Sequence, residues 1–343
     1  MIATSANAEP NASQIESWDG PGGQHWVAEA ERYDRMSRSF GEPIIEAAAP
    51  RPGERVLDVG CGNGAVALAV SALVAPGGSV MGLDISGPML AHARQRADAA
   101  GIASVSFRKG DAQVYPLPPA SFDAVVSRFG VMFFDDPVAA FANLGRALRP
   151  GGRIAFTCWR DLLVNEWLMV PAGAALQYVP MPDLGQPGAP GPFSLADPER
   201  VHQVLRDAAF AQVALEEVAR PMPMGSSADD VLGFMRGTDM AQALMTGVDP
   251  DTAEQAWAAV KAALQAHAEP GGITLAGAAW LVTARRAGKA VPPSPCRIGR
   301  AARLPPRAPA QITPFGSGRE VLAEDQLGVQ ADIACWPRTS RSR

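Results

Sequence analysis

The stretch Val56-Leu57-Asp58-Val59-Gly60-Cys61-Gly62-Asn63-Gly64 constrains this chain more than any other. It reads as a buried strand from Arg55 to Val59, a glycine-rich turn, and an apolar helix from about Ala65 to Ala75, which is the opening of a parallel α/β unit. Glycine lacks a Cβ, so such a turn can reverse sharply and bring its backbone close to a ligand, with helix N-terminal N–H groups facing it. Asp58 narrows the choice of ligand. A bare pyrophosphate gains nothing from a carboxylate just before the first glycine, whereas a cationic or hydroxylated ligand does.

The same strand-then-helix unit recurs downstream. Ser79 to Leu83 forms a second strand ending in Asp84, and Ser86 caps a helix from Gly87 to Ala100 that carries Pro88 in its first turn and is closed by Gly101. A third strand, about Val105 to Lys109, again leads to an acid, Asp111; after a proline-rich turn, Phe122 to Ser127 is a fourth. Asp136-Pro137 is a helix start, Phe141, Leu144 and Leu148 fall on one helical face, and Pro150-Gly151-Gly152 turns into a fifth strand, Arg153 to Trp159. Successive strands joined by helices or turns predict a parallel sheet, and acids at the carboxyl ends of strands stand where open α/β sheets bind ligands. Beyond Trp159 the pattern predicts a helix over Leu162 to Tyr178, a proline/glycine loop over Pro180 to Pro192, and a helix from Asp197-Pro198 to about Ala208. A sixth strand is expected over Gln212 to Val218, two or three helices over 227–268, and a last strand over Ala278 to Arg285.

Four motifs in this order resemble the class I S-adenosylmethionine (SAM) dependent methyltransferases: Asp58-x-Gly60-x-Gly62-x-Gly64, Asp84 after Val80-Met81-Gly82-Leu83, Gly110-Asp111-Ala112, and Phe122 to Phe134 followed by Arg146-Ala147-Leu148-Arg149-Pro150-Gly151-Gly152. The last of these is similar to the small-molecule branch, which includes ubiquinone/menaquinone-biosynthesis enzymes and natural-product tailoring enzymes. The resemblance covers roughly residues 15–286. It implies a Rossmann-like, seven-stranded, mostly parallel sheet with an antiparallel edge strand, helices on both faces, and a helical cap built from about 15–50, 160–195 and 227–268.

The resemblance also implies the site. Gly60, Gly62 and Gly64, with the small Cys61 between them, would admit the cofactor's methionyl and ribose portions, and Asp58 would hold its amino group. Asp84 would accept from the ribose hydroxyls; Ile85 and Met89 would flank the adenine; Asp111 and the Ala112 N–H would meet its edge; Ser127 would close the cofactor side. Trp26, Arg128, Phe129 and Phe133 would face a small-molecule acceptor, quinone-like or a secondary metabolite, whose oxygen, nitrogen or carbon is methylated by in-line displacement, leaving S-adenosylhomocysteine (SAH). Arg128 would orient a polar or anionic part of that acceptor or the SAM carboxylate, and Tyr33 and Asp34, on the N-terminal helix, could face the same pocket. Among the four histidines only His25 sits in a segment expected near the acceptor, as a candidate base; His92 is expected on an exposed helix face.

Two other readings stay open at this point. Gly60-x-Gly62-x-x-Ala65 with Asp84 about 20 residues on also fits an NAD(P)-dependent oxidoreductase, and a SAM-binding scaffold without catalysis would keep the same acids. A net charge of -5 gives no electrostatic footprint for nucleic acid. Cys61, Cys158, Cys296 and Cys335 have no metal-ligand spacing, so no metal site is expected, and they suit a reducing compartment. With no leader or membrane-spanning run in the sequence, a cytoplasmic monomer or homodimer is expected. Residues 1–14 are polar and aperiodic and read as disordered. The tail 287–343, with one lysine and eight arginines against four acids and eight prolines, also reads as disordered, carrying about +5 against about -10 for the rest.

Overall fold

A computed structural model describes residues 9–181, 186 and 188–287. The parallel strands are β1 (Arg55–Val59), β2 (Ser79–Asp84), β3 (Val105–Lys109), β4 (Phe122–Arg128) and β5 (Leu148–Trp159). Val56 and Leu57 are fully buried and Val59 nearly so. A strand apolar on both faces needs cover on both, which is why β1 takes the middle of the sheet. β6 (Phe210–Gly225), the two-residue β7 (Ala268–Glu269) and β8 (Gly272–Arg286) complete the order β3-β2-β1-β4-β5-β8-β6, with β7 paired to β8.

β8 is antiparallel to both β5 and β6, and it lies one place in from the edge. Composition explains the placement. β8 is largely buried, whereas β6 is mostly exposed and carries Pro221 and Pro223, residues that an edge strand tolerates and a central one does not. Both strands run well beyond the segments expected for them, Gln212 to Val218 and Ala278 to Arg285, because their outer halves pair with each other past the end of β5.

The helices are α1 (Ala12–Asp19), α2 (Pro21–Ala28), α3 (Ala30–Ala48), α4 (Ala65–Val74), α5 (Gly87–Ala99), α6 (Pro137–Ala147), α7 (Glu166–Ala175), α8 (Pro198–Asp207), α9 (Ala228–Arg236), α10 (Asp239–Met245) and α11 (Pro250–Gln265). The expected caps form: Ser86, Asp136 and Asp197 each accept an N–H of the first turn, and proline follows in the first turn of each helix. The single helix expected over Leu162 to Tyr178 is instead a 3-10 turn (Leu162–Val164) and α7, with Asn165 between them as the α7 N-cap. α3 lies across β4, β5, β8 and β6, so the N-terminal segment covers the sheet near the strand ends.

The N-terminal expectation needs correction. α1 begins at Ala12, and Asn11, inside the stretch read as disordered, is buried with its amide and backbone bonded to Asp111, Gln113 and Asp135. Composition misled here because these bonds come from partners some hundred residues away. Residues 1–8 and the tail from 288 lie outside the described residues.

Candidate active site

The strand order reverses between β1 and β4, and the site gathers at their carboxyl ends. Three glycines there do three different things. Gly60 is left-handed (φ 62°), and a Cβ on it would stand 2.5 Å from the Gly130 Cα, so β1 and β4 exit in backbone contact. Gly64 (φ 81°) opens α4 and lies against Ala93 and Phe107, leaving no room for a side chain. Gly62 (φ 51°) has an open Cβ side, limited only by the Met89 sulfur at 3.6 Å. The Gly60 N–H donates to the Leu83 carbonyl (2.8 Å), and this bends the turn over the end of β2.

The two nearest acids are both buried. Asp84 accepts the Gly62 N–H and the Ser86 N–H, each at 2.8 Å, which leaves lone pairs on both oxygens. Burial raises its pKa. Desolvation also pushes the Asp58 carboxyl up, to about 7, with Asp84 adding to the rise and the Arg128 charge opposing it. The Asp58 Oδ2 has no hydrogen-bond partner among the described residues. A buried carboxylate oxygen left unpaired is costly, and a cationic ligand would satisfy it.

Asp111 accepts the Gln113 N–H (2.9 Å) on one oxygen and the Asn11 side-chain amide (2.9 Å) on the other. Ala112 is buried, and its carbonyl is held by Asn143 (2.8 Å). Met89 is buried in the first turn of α5, and Ile85 is half-buried at the exit of β2. The Ser127 hydroxyl donates to the Val59 carbonyl (2.7 Å) and thereby ties β4 to β1. Burial pushes the Cys61 thiol well above its ordinary range, so it packs rather than reacts.

At the end of β4, Arg128 reaches toward α3, where Asp34 lies 3.5 Å away and is itself held at 2.9 Å by Arg96 of α5. Phe129 is left-handed (φ 65°), a strained setting for a non-glycine residue, and its ring stacks on Trp159 (centroids 3.9 Å) with Phe40 edge-on. Phe133 meets the edge of Trp18, which meets Trp26, which stacks on Tyr33 at 3.7 Å. His25 lies beyond Tyr33, stacked on Phe234 with Gly237 making room, and so is several rings away from Phe133. His92 is not exposed as expected: its Nδ1 is 3.1 Å from Asn63 Oδ1, and the Asn63 amide donates to the Trp26 carbonyl (3.0 Å).

Sequence reasoning therefore found the acids and glycines, and placed Tyr33 and Asp34 on a helix that could face the pocket, but missed Asn11, Asn63 and Arg96. Asn63 lay in plain view inside the turn; the others bear no local signal, since their partners are remote in the chain.

These residues fit SAM: an unpaired buried carboxylate oxygen for an ammonium, a strand-end aspartate with free lone pairs for ribose hydroxyls, and an open glycine face between them. A family model described as a methyltransferase domain matches residues 56–152. The nocamycin O-methyltransferase of Saccharothrix syringae is 31% identical over 266 residues, covering 74% of this chain and 94% of that protein. The chain belongs to the class I SAM-dependent methyltransferases. Two further relatives of this methyltransferase match over shorter spans: the aklanonic acid methyltransferase DauC of Streptomyces sp. (strain C5), 39% identical over 36% of this chain and 59% of its own length, and the demethylmenaquinone methyltransferase of Thermus thermophilus, 40% identical over 42% and 65%. Its cofactor is SAM and its co-product SAH, which sets aside the nicotinamide reading of the same glycines. No helix of the described residues is long and apolar enough to cross a membrane.

Proposed function

We propose that this methyltransferase methylates a small, ring-bearing acceptor, a secondary metabolite or quinone-like compound, held at the exits of β4 and β5 beneath α1 to α3. The observation that carries the reading is the pairing of two environments at the carboxyl ends of β1, β4 and β5: the Asp58 oxygen without a partner among the described residues and the open Gly62 face, and Arg128 followed by Phe129, whose ring clusters with Phe40 and Trp159. The relatives named for nocamycin, aklanonic acid and demethylmenaquinone support a small-molecule acceptor.

Bound here, SAM supplies an electrophilic methyl group on a sulfonium. Asp58 holds the ammonium, Asp84 the ribose hydroxyls, Asp111 and the Ala112 N–H the adenine edge, and Ile85 and Met89 its faces. Gly60, Gly62, Cys61 and Gly64 shape the turn, and Ser127 fixes the strand ends. Arg128, Phe129, Phe133 and Trp26 orient the acceptor. The chain's contribution to rate is alignment and exclusion of water by α1 to α3. His25 is assigned to packing α2 against α9 in place of the role of base, because its ring is enclosed by Tyr33, Phe234 and Gly237.

Calorimetric titration with SAM, SAH and NADH, on the wild type and Asp84→Ala, tests the cofactor half. The expected result is binding of both adenosyl ligands, loss in the variant, and no heat with NADH. Full SAH affinity in Asp84→Ala would refute the assignment of Asp84.

A further inference from the structure

Arg128 is a guanidinium with too few partners. Its five N–H donors make one hydrogen bond among the described residues, to Asp34 at 3.5 Å. Asp34 is closer to Arg96 (2.9 Å), so the carboxylate nearest Arg128 is already shared. Asp58, the other nearby acid, contributes its charge without a bond. Protein surrounds the Arg128 side chain closely enough to disfavour its charge, yet 16% of its surface stays accessible. The guanidinium is therefore largely desolvated yet still reachable from solvent. Thr157, its register partner on β5, adds a buried hydroxyl that also lacks a partner. The ends of β4 and β5 thus hold guanidinium N–H groups and a hydroxyl with no partner among the described residues, Arg128 standing one residue before Phe129, whose ring stacks on Trp159, with Trp167 5.2 Å from Trp159.

We infer that the acceptor is an acid: a carboxylate on a flat ring system, seated with its anion on Arg128 and its rings along Phe129 and Trp159, and converted to a methyl ester. This rests on the site reading above. The guanidinium fork matches a carboxylate with two parallel N–H bonds, and partial desolvation strengthens the pairing. In the transfer, a carboxylate oxygen uses a lone pair to form the new O–CH3 bond while the methyl–sulfur bond breaks, its electron pair staying on sulfur. The negative charge of the acceptor and the positive charge of the sulfonium cancel. No proton moves, so no base is required. The neutral ester then loses the ion pair, Asp34 regains Arg128, and product release is favoured.

The test uses the full chain loaded with SAH and titrated calorimetrically with 2-naphthoate and its uncharged isostere 2-naphthamide, in wild type, Arg128→Gln and Asp34→Asn. The wild type should bind the carboxylate at least about tenfold more tightly than the amide, the value of one charge-assisted pair at this depth. Arg128→Gln should erase that preference while SAH affinity stays within about threefold. Asp34→Asn, which frees Arg128 from its competitor, should tighten the carboxylate several-fold and leave the amide unchanged; this arm decides even if Arg128→Gln fails to fold. Equal affinity for the two probes, no binding of the carboxylate, a preference surviving in Arg128→Gln, or no tightening in Asp34→Asn would each overturn the inference. A loss of SAH binding in Arg128→Gln would overturn it differently, by giving the guanidinium to the cofactor's carboxylate. Failure of wild type to bind SAH would instead sink the site reading beneath it.

Discussion

Asp58 offers a test in which pH does the work of mutation. Its carboxyl is lifted from 3.8 to about 7, first by desolvation, and its Oδ2 has no partner among the described residues. If it receives the ligand's ammonium, the ionised form is the binding form. At pH 6 about one-tenth of the free protein is ionised at this position, and at pH 8 about nine-tenths, so SAH affinity should rise about tenfold across that interval, roughly 1.4 kcal/mol. At pH 7 binding should release about half a proton, measurable by calorimetry in buffers of different ionisation enthalpy. SAH keeps its ammonium over the whole range, so the ligand adds no slope of its own. Asp58→Asn should flatten the curve at the weak end. Equal affinity at pH 6 and pH 8, or an unchanged slope in Asp58→Asn, would refute the argument.

The same shift has a stability consequence with a definite sign. A carboxyl whose folded pKa lies above its unfolded value stabilises the fold fully below about 3.8, and that stability is lost as pH rises through about 7. The ionised form therefore burdens the ligand-free protein at pH 8, by about 4 kcal/mol at most for a shift of some 3 units. Asp58→Asn should raise Tm at pH 8 and much less at pH 5. A residue that costs stability and is relieved by its ligand belongs to a binding site.

Other perturbations separate the parts of the site. Gly60→Ala forces a methyl to 2.5 Å from Gly130 and should cost the fold several kcal/mol in urea denaturation, whereas Gly62→Ala, with only backbone strain of about 1–2 kcal/mol, should fold and lose SAH affinity tenfold or more. Asn63→Asp sets a carboxylate against the Trp26 carbonyl; it should raise the KM for SAM more than it lowers kcat, and amide exchange in α2 should quicken. Asn11→Ala removes three hydrogen-bonded contacts and should destabilise the protein by about 1–3 kcal/mol, with unchanged thermal unfolding counting against the N-terminal anchor.

Why the site was half legible follows from where each bond closes. Asp58, Gly60, Gly62, Gly64 and Asp84 act through the local rules of a strand end and a turn, and local rules leave a mark in sequence. The five parallel strands were legible for the same reason, since buried strands are apolar runs bounded by turns. β6 and β8 outran their predicted lengths because extended pairing beyond β5 is a tertiary fact, and neither strand alone shows it. The chain Asp58, Arg128, Asp34, Arg96 is the extreme case. Each member sits on a different element, β1, β4, α3 and α5; Asp58 and Arg128 stand at strand ends where sequence marks them, whereas nothing local says that Asp34 and Arg96 join them. Only the fold makes them alternate in sign along one partly buried line that runs from β1 through β4 and α3 to α5. Asp34 thus ties α3 to the sheet through Arg128 at 3.5 Å and to α5 through Arg96 at 2.9 Å, so an anion placed on Arg128 would compete with Asp34 for the guanidinium while the shorter Arg96 pair keeps α3 in place.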